Sequence, residues 1–122
     1  MKKVNIAAAL EPIHDHWRPR LAGDVNDCCV KLVKFAGSFD WHSHDAEDEL
    51  FLVIAGTMRM KLHTGDIDVG PGEFLIVPRG TEHCPEALGG ECSVMLIEPR
   101  TTVNTGNMVT EKTWTTLESI AG

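Results

Sequence analysis

At 122 residues, 43% hydrophobic and 24% charged, the chain is the right size for one globular domain and too short for two cores. Eleven Lys and Arg stand against 18 Asp and Glu, a net charge of −7 without a basic run, which argues against nucleic acid or an anionic membrane as a partner. No apolar stretch approaches the roughly 18 residues of a membrane span. Glu11 and Pro12 cut the N-terminal apolar run short, so a cytoplasmic protein with reduced thiols is expected.

In chain order, Val4 to Leu10 reads as a short strand or a helical turn. His14-Asp15-His16 is a His-x-His sequence between two prolines with no carboxylate or histidine at strand spacing after it, and is expected in a solvated loop. Trp17 to Leu21 reads as extended, because Pro19 removes a donor and biases its predecessor away from helix. Cys28 to Phe35 alternates as a strand, its apolar positions Val30 and Leu32 broken by Lys31 and Lys34. Adjacent Cys28 and Cys29 point to opposite faces of that strand. A Cys84–Cys92 bridge across a hairpin is the lesser alternative to free thiols.

Glu49 to Ile54 is a nearly continuous apolar run, as expected of a strand buried on both faces. Met58, Met60 and Leu62 alternate with Arg59, Lys61 and His63, which assigns His63 to a solvent face. Thr64-Gly65-Asp66, Pro71-Gly72, Pro78-Arg79-Gly80 and Leu88-Gly89-Gly90 are turn signals that separate Ile67–Val69, a buried strand Phe74–Val77, and Cys92–Glu98. Strands recurring every 8–12 residues without helical period predict an all-β sandwich or barrel. Trp114, Leu117 and Ile120 share one side of a short terminal helix, expected to cover the barrel or a partner subunit.

The chemistry concentrates in Trp41–Gly56, WHSHDAEDELFLVIAG. Residues i and i+2 of a strand face the same way about 6.5 Å apart, so His42 and His44 lean toward a common point. Glu49 follows an acidic turn and shares a face with Phe51 and Val53, where a carboxylate is costly to bury unless paired or metal-bound. Asp48 points the other way and Glu47 falls in the turn. His83 enters from a separate stretch, GEFLIVPRGTEH. Three imidazoles and one carboxylate suit one divalent first-row ion (Fe, Mn, Ni, Cu or Zn) and leave coordination positions open.

These motifs resemble those of the small single-domain bacterial cupins. Gly37, His42, His44, Glu49 and Gly56 match the first cupin motif, with four residues between His44 and Glu49 and six between Glu49 and Gly56. Gly72, Pro78, Gly80 and His83 match the second. The sequence departs from the pattern in a Gly37–His42 gap one residue short, and in Ala87 where the family often has Asn. The resemblance covers residues 30 to 98 and implies a double-stranded β-helix (jelly-roll) barrel with ligands projecting inward. It also implies a small-molecule ligand or substrate and a homodimer. One domain over 1–122 is expected, with both flanks as cover.

A metalloenzyme acting on a small organic molecule follows as the leading expectation, dioxygenase-like before isomerase-like; a non-enzymatic binding or sensor protein is the alternative. The predicted pocket is mostly apolar, lined by Phe51, Val53 and residues near Phe74 and Met95. The chain has no tyrosine, so acid–base candidates reduce to Asp40, Glu73, Glu82 and Glu86, each of a kind usually found as surface charge. Arg79 is a turn residue that could meet a substrate carboxylate.

Overall fold

The computed structural model describes residues 1–121. Its elements are helix α1 (Ile6–Leu10) and strands β1 (Arg20–Val25), β2 (Cys28–Ser38), β3 (Glu49–Leu62), β4 (Ile67–Val69), β5 (Phe74–Val77) and β6 (His83–Pro99). All pair antiparallel in the order β1-β2-β6-β3-β4, with β5 against the first half of β3. The result is the expected all-β jelly-roll barrel.

Three strands are longer than the sequence pattern suggested, β2 by the few residues to Ser38 and β3 and β6 by far more. Gly56 does not end β3; the strand continues through a bulge that shifts its register against β6 between Val53 and Ala55 and again between Ala55 and Thr57. The bulge reverses parity, so Glu49, Phe51 and Val53 face inward before it and Met58 and Met60 after it. Gly56 makes this possible. Its φ is +81°, and a Cβ there would lie 2.5 Å from the Glu91 carbonyl oxygen. Opposite it, Gly89 and Gly90, both at positive φ, bend β6 rather than end it. These paired bends close the sheet on itself.

The inner faces form the main core of Trp17, Val33, Phe35, Phe51, Val53, Met58, Met60 and Val94. Fully burying each large apolar side chain contributes about 1.5–3 kcal/mol. Trp17 adopts a left-handed φ of 63°, so the expected extended run starts only after it; its ring stacks on Phe35 at 4.2 Å. A second cluster lies outside the barrel, where Ala9, Leu10 and Ile13 cover Leu32. Asn5 caps α1 by accepting from the Ala8 N–H at 3.0 Å.

Three expectations are corrected. The apolar run of β3 is fully buried on one face only, with Leu50, Leu52 and Ile54 half-buried on the other. Strand β5 is not buried: Phe74 and Ile76 are 60% and 54% exposed, because β5 lies on the sheet's edge with its outer face uncovered. No helix forms in residues 101–121. Threonines there cap local turns instead, Thr105 donating to the Met108 carbonyl and Thr113 accepting from the Thr110 N–H. Trp114 lies under the Arg18 guanidinium, 4.1 Å from its ring centre. The tail does cover the barrel: Asn107 exchanges two hydrogen bonds with the Ser43 backbone, and Ile120 and Glu118 bracket Leu21. All four cysteines are free.

Candidate metal centre

His42 and His83 lie outside and at the end of regular strands, yet an isolated antiparallel bridge joins them. Each backbone N–H donates to the other's carbonyl, at 3.1 and 2.9 Å. Such a reciprocal pair sets both side chains on one face, and the rings stand 4.3 Å apart. The Gly80 N–H donates to the His44 carbonyl at 2.8 Å, so the turn before His83 also fixes the segment that carries His44. Glu49 opens β3, paired with Val77 of β5.

All four predicted ligands are buried, and one donor atom from each lies within 4.8 Å of the others. Bonds of about 2.1 Å to one ion separate donors by about 3.0 Å in cis and 4.2 Å in trans, so closing on an ion requires only small movements. Nδ1 of His42 donates to the Asp40 carbonyl at 2.9 Å, and Nδ1 of His83 donates to the Thr81 carbonyl at 2.8 Å. A carbonyl oxygen only accepts, so with Nδ1 donating, Nε2 is the ring nitrogen left to offer a lone pair to an ion. Such backbone pins are what metal-bound imidazoles ordinarily have. Oε1 of Glu49 is 2.8 Å from Nε2 of His44 and 3.1 Å from Nε2 of His83. Both nitrogens of His44 are buried without hydrogen-bond geometry to any partner. Electron-rich atoms converging around an orphaned imidazole fit a cation.

The electrostatics agree. Burial, then the neighbouring His83, lowers the His42 pKa to about 4, which keeps the ring neutral and available as a ligand. Burial works to raise the Glu49 carboxyl, but contacts with Glu98, His44 and His83 overcome it and hold it well below the ordinary value.

The other candidates disperse. His16 pairs with Glu91 at 2.8 Å and His14 is exposed. His63 stacks on Trp41 and meets Glu82. Asp48 points away from Glu49, as expected, and binds Arg79, which is thereby engaged at the surface. Oε1 of Glu73 accepts from the Gly70 N–H, and Glu86 faces Lys61. Asp40 meets Lys112 at 3.3 Å, while its second carboxylate oxygen is buried without a partner.

The space beside the centre also differs from expectation. A cavity of about 30 Å³ is lined by Phe35, Phe39, His42, Glu49, Phe51 and Glu98, among others, enough for a water molecule and not for an organic substrate. Phe74 faces outward, and Met95 packs with the outer cluster; neither lines it. A second cleft, about 260 Å³, opens beside His44 between the Asp45–Glu47 turn and residues 101, 103, 106 and 107 of the tail.

Two residues near the centre escaped the sequence reading. Lys31 and Glu98 form a buried ion pair at 2.8 Å, and Glu98 lines the same cavity as Glu49, across the β3–β6 register from it. The signal was parity. Lys31 alternates with Cys29, Val33 and Phe35, and Glu98 with Cys92, Val94 and Leu96, all of them buried.

A family model, the cupin domain, matches residues 30–100. An uncharacterised protein of Bacillus subtilis, YdbB, is 32% identical over 83 residues, covering 67% of this chain and 74% of its own. The homogentisate 1,2-dioxygenase of Rhodopseudomonas palustris is 34% identical over 83 residues, but the match spans 63% of this chain and 18% of that enzyme. A solved cupin-2 domain protein from Shewanella frigidimarina superposes with a TM-score of 0.77 at 39% identity, covering 80% of this chain and 94% of its own.

Proposed function

The chain belongs to the cupin family, and on that premise we propose that His42, His44, Glu49 and His83 hold one divalent first-row metal ion, in an enzyme that acts on a small organic molecule, oxygen-dependent cleavage being favoured over isomerisation. The observation that carries this reading is the buried convergence of four donors, with two imidazoles pinned through Nδ1 so that Nε2 faces the common point. When bound, the ion supplies Lewis acidity, an open coordination position and, for a redox-active metal, electrons for oxygen. His42 and His83 keep their lone pairs inward. Glu49 lowers the net charge of the centre, and Phe39 and Phe51 keep bulk water from it. The cleft beside His44 is the approach for a small ligand.

The preference for oxygen chemistry rests on the absence of tyrosine and on Glu73, Glu82 and Glu86 being engaged away from the centre. The partial likeness to a dioxygenase supports it as well. Fe(II)-loaded protein, followed for oxygen uptake with diketones, thiols and phenols, tests the reading. Uptake with one class, lost in His83→Ala, is expected. Silence with every metal and substrate class would sink the enzyme.

The 30 Å³ cavity favours a second reading, a metal-binding or sensor module that turns nothing over; stoichiometric metal without oxygen uptake would select it. We also propose a homodimer through the apolar outer face of Phe74, Ile76, Leu50 and Leu52. Sedimentation of the parent and of Phe74→Asp checks this, with a shift to monomer expected in the variant.

A further inference from the structure

We propose that Glu98, clamped by Lys31, is a positioning residue of the candidate centre and holds the Glu49 carboxyl in the orientation that ligation requires. The inference rests on the metal-binding reading above. Leu50 pairs with Ile97, so one step along the same antiparallel register Glu49 and Glu98 face each other inside the barrel. Cys29 pairs with Glu98, which makes Lys31 its diagonal neighbour on the same inner face. Nζ of Lys31 lies 2.8 Å from Oε1 of Glu98, with side chains 3% and 1% exposed, and also donates to the Thr102 carbonyl at 3.4 Å. Oε2 of Glu98 is buried and receives no donor of its own. The carboxyl across the register from it is Glu49, and the two carboxyls line the same 30 Å³ cavity.

The arrangement completes a pattern. Two of the imidazoles are fixed by backbone carbonyls, Asp40 for His42 and Thr81 for His83. On this proposal the third support is Glu98, which faces the Glu49 carboxyl across the β3–β6 register. Burying a lysine and a glutamate costs more desolvation than an apolar pair of the same volume. The interior around them is otherwise Cys29, Val33, Val94 and Leu96, so stability alone would be served by continuing that series. A carboxyl at position 98 makes sense as an orienting group behind a ligand, a role whose loss typically weakens metal binding about 10- to 100-fold.

The test uses Co(II), whose visible spectrum reports the ligand set, with titration calorimetry for affinity. Glu98→Gln preserves shape and can donate to Glu49, and is expected to keep the parental spectrum and an affinity within a few fold. The double variant Lys31→Met/Glu98→Leu replaces the pair by apolar groups. It is expected to melt at or above the parent temperature, yet bind Co(II) about 10- to 100-fold more weakly with an altered spectrum. Should the double variant fail to fold, Glu98→Asp withdraws the contact by one methylene and is expected to show the same loss. Parental affinity and spectrum in the apolar or shortened variant would overturn the proposal, as would equal loss in Glu98→Gln. A parent chain that binds no Co(II) overturns the metal reading itself, an outcome distinct from a parent and variant that bind alike.

Discussion

The chain carries two His-x-His sequences, His14/His16 and His42/His44, and the fold treats them oppositely. His16 sits at the surface in an ion pair with Glu91, the two side chains 37% and 47% exposed. His42 and His44 are buried beside Glu49 and His83. The spacing is identical. What differs is what the rest of the chain brings to each: a reciprocal backbone bridge from His83 and a carboxylate at the start of β3. Alternation on an extended segment supplies two imidazoles; only tertiary pairing supplies the other half of a site.

That contrast can be broken most strongly at the proposed ligands. Replacing His44 or His83 by Ala should weaken metal binding by more than about 100-fold, beyond the range typical of outer-shell groups. His14→Ala/His16→Ala should leave stoichiometry unchanged. Metal analysis after equilibrium dialysis checks both.

Acid should separate the two histidine pairs next. The folded His42 titrates at about 4 against 6.5 for the unfolded chain, so between those pH values the unfolded state binds more protons. Stability of the metal-free protein therefore falls as pH drops from about 6.5 to about 4, by on the order of 3 kcal/mol from this group. Glu98, whose pKa burial raises, pulls the other way, and Glu49 adds loss at still lower pH. Urea melts of parent and His42→Gln isolate the His42 contribution as the part of the slope that disappears in the variant.

Away from the centre, Gly56→Ala should destabilise by about 1–3 kcal/mol, because it places a Cβ against the Glu91 carbonyl at a left-handed φ. A thermal melt that matches the parent would mean the bulge relaxes. The smallest effect belongs to the surface pair: His16→Ala should change stability by less than about 0.5 kcal/mol, as exposed ion pairs do. A larger loss in the same melt would show that this surface pair holds the barrel together.

The four clustered side chains were legible because strand alternation and turn chemistry are local. His42 and His44 differ by two positions, and the Pro78–Gly80 turn announces His83. Lys31 and Glu98 were less legible. Each is a charge in an apolar alternation, and charge at such a position ordinarily means solvent. The exposed edge strand was misread for the converse reason: Phe74–Val77 is apolar in composition, and composition does not say whether a neighbouring element covers the face.

By itself the sequence determined the all-β class, the inward grouping of His42, His44, Glu49 and His83, and the family, since each depends on period, turn residues and fixed gaps. Tertiary structure alone decided that Gly56 is a bulge inside one long strand, that the terminal threonine-rich segment caps turns rather than forming a helix, and that Glu49 lies across the register from a buried Lys31–Glu98 pair. Those outcomes depend on which strands meet and at what register. The desolvation and pairing energies that settle them act between residues as far apart as 31 and 98, a separation at which no local pattern carries information.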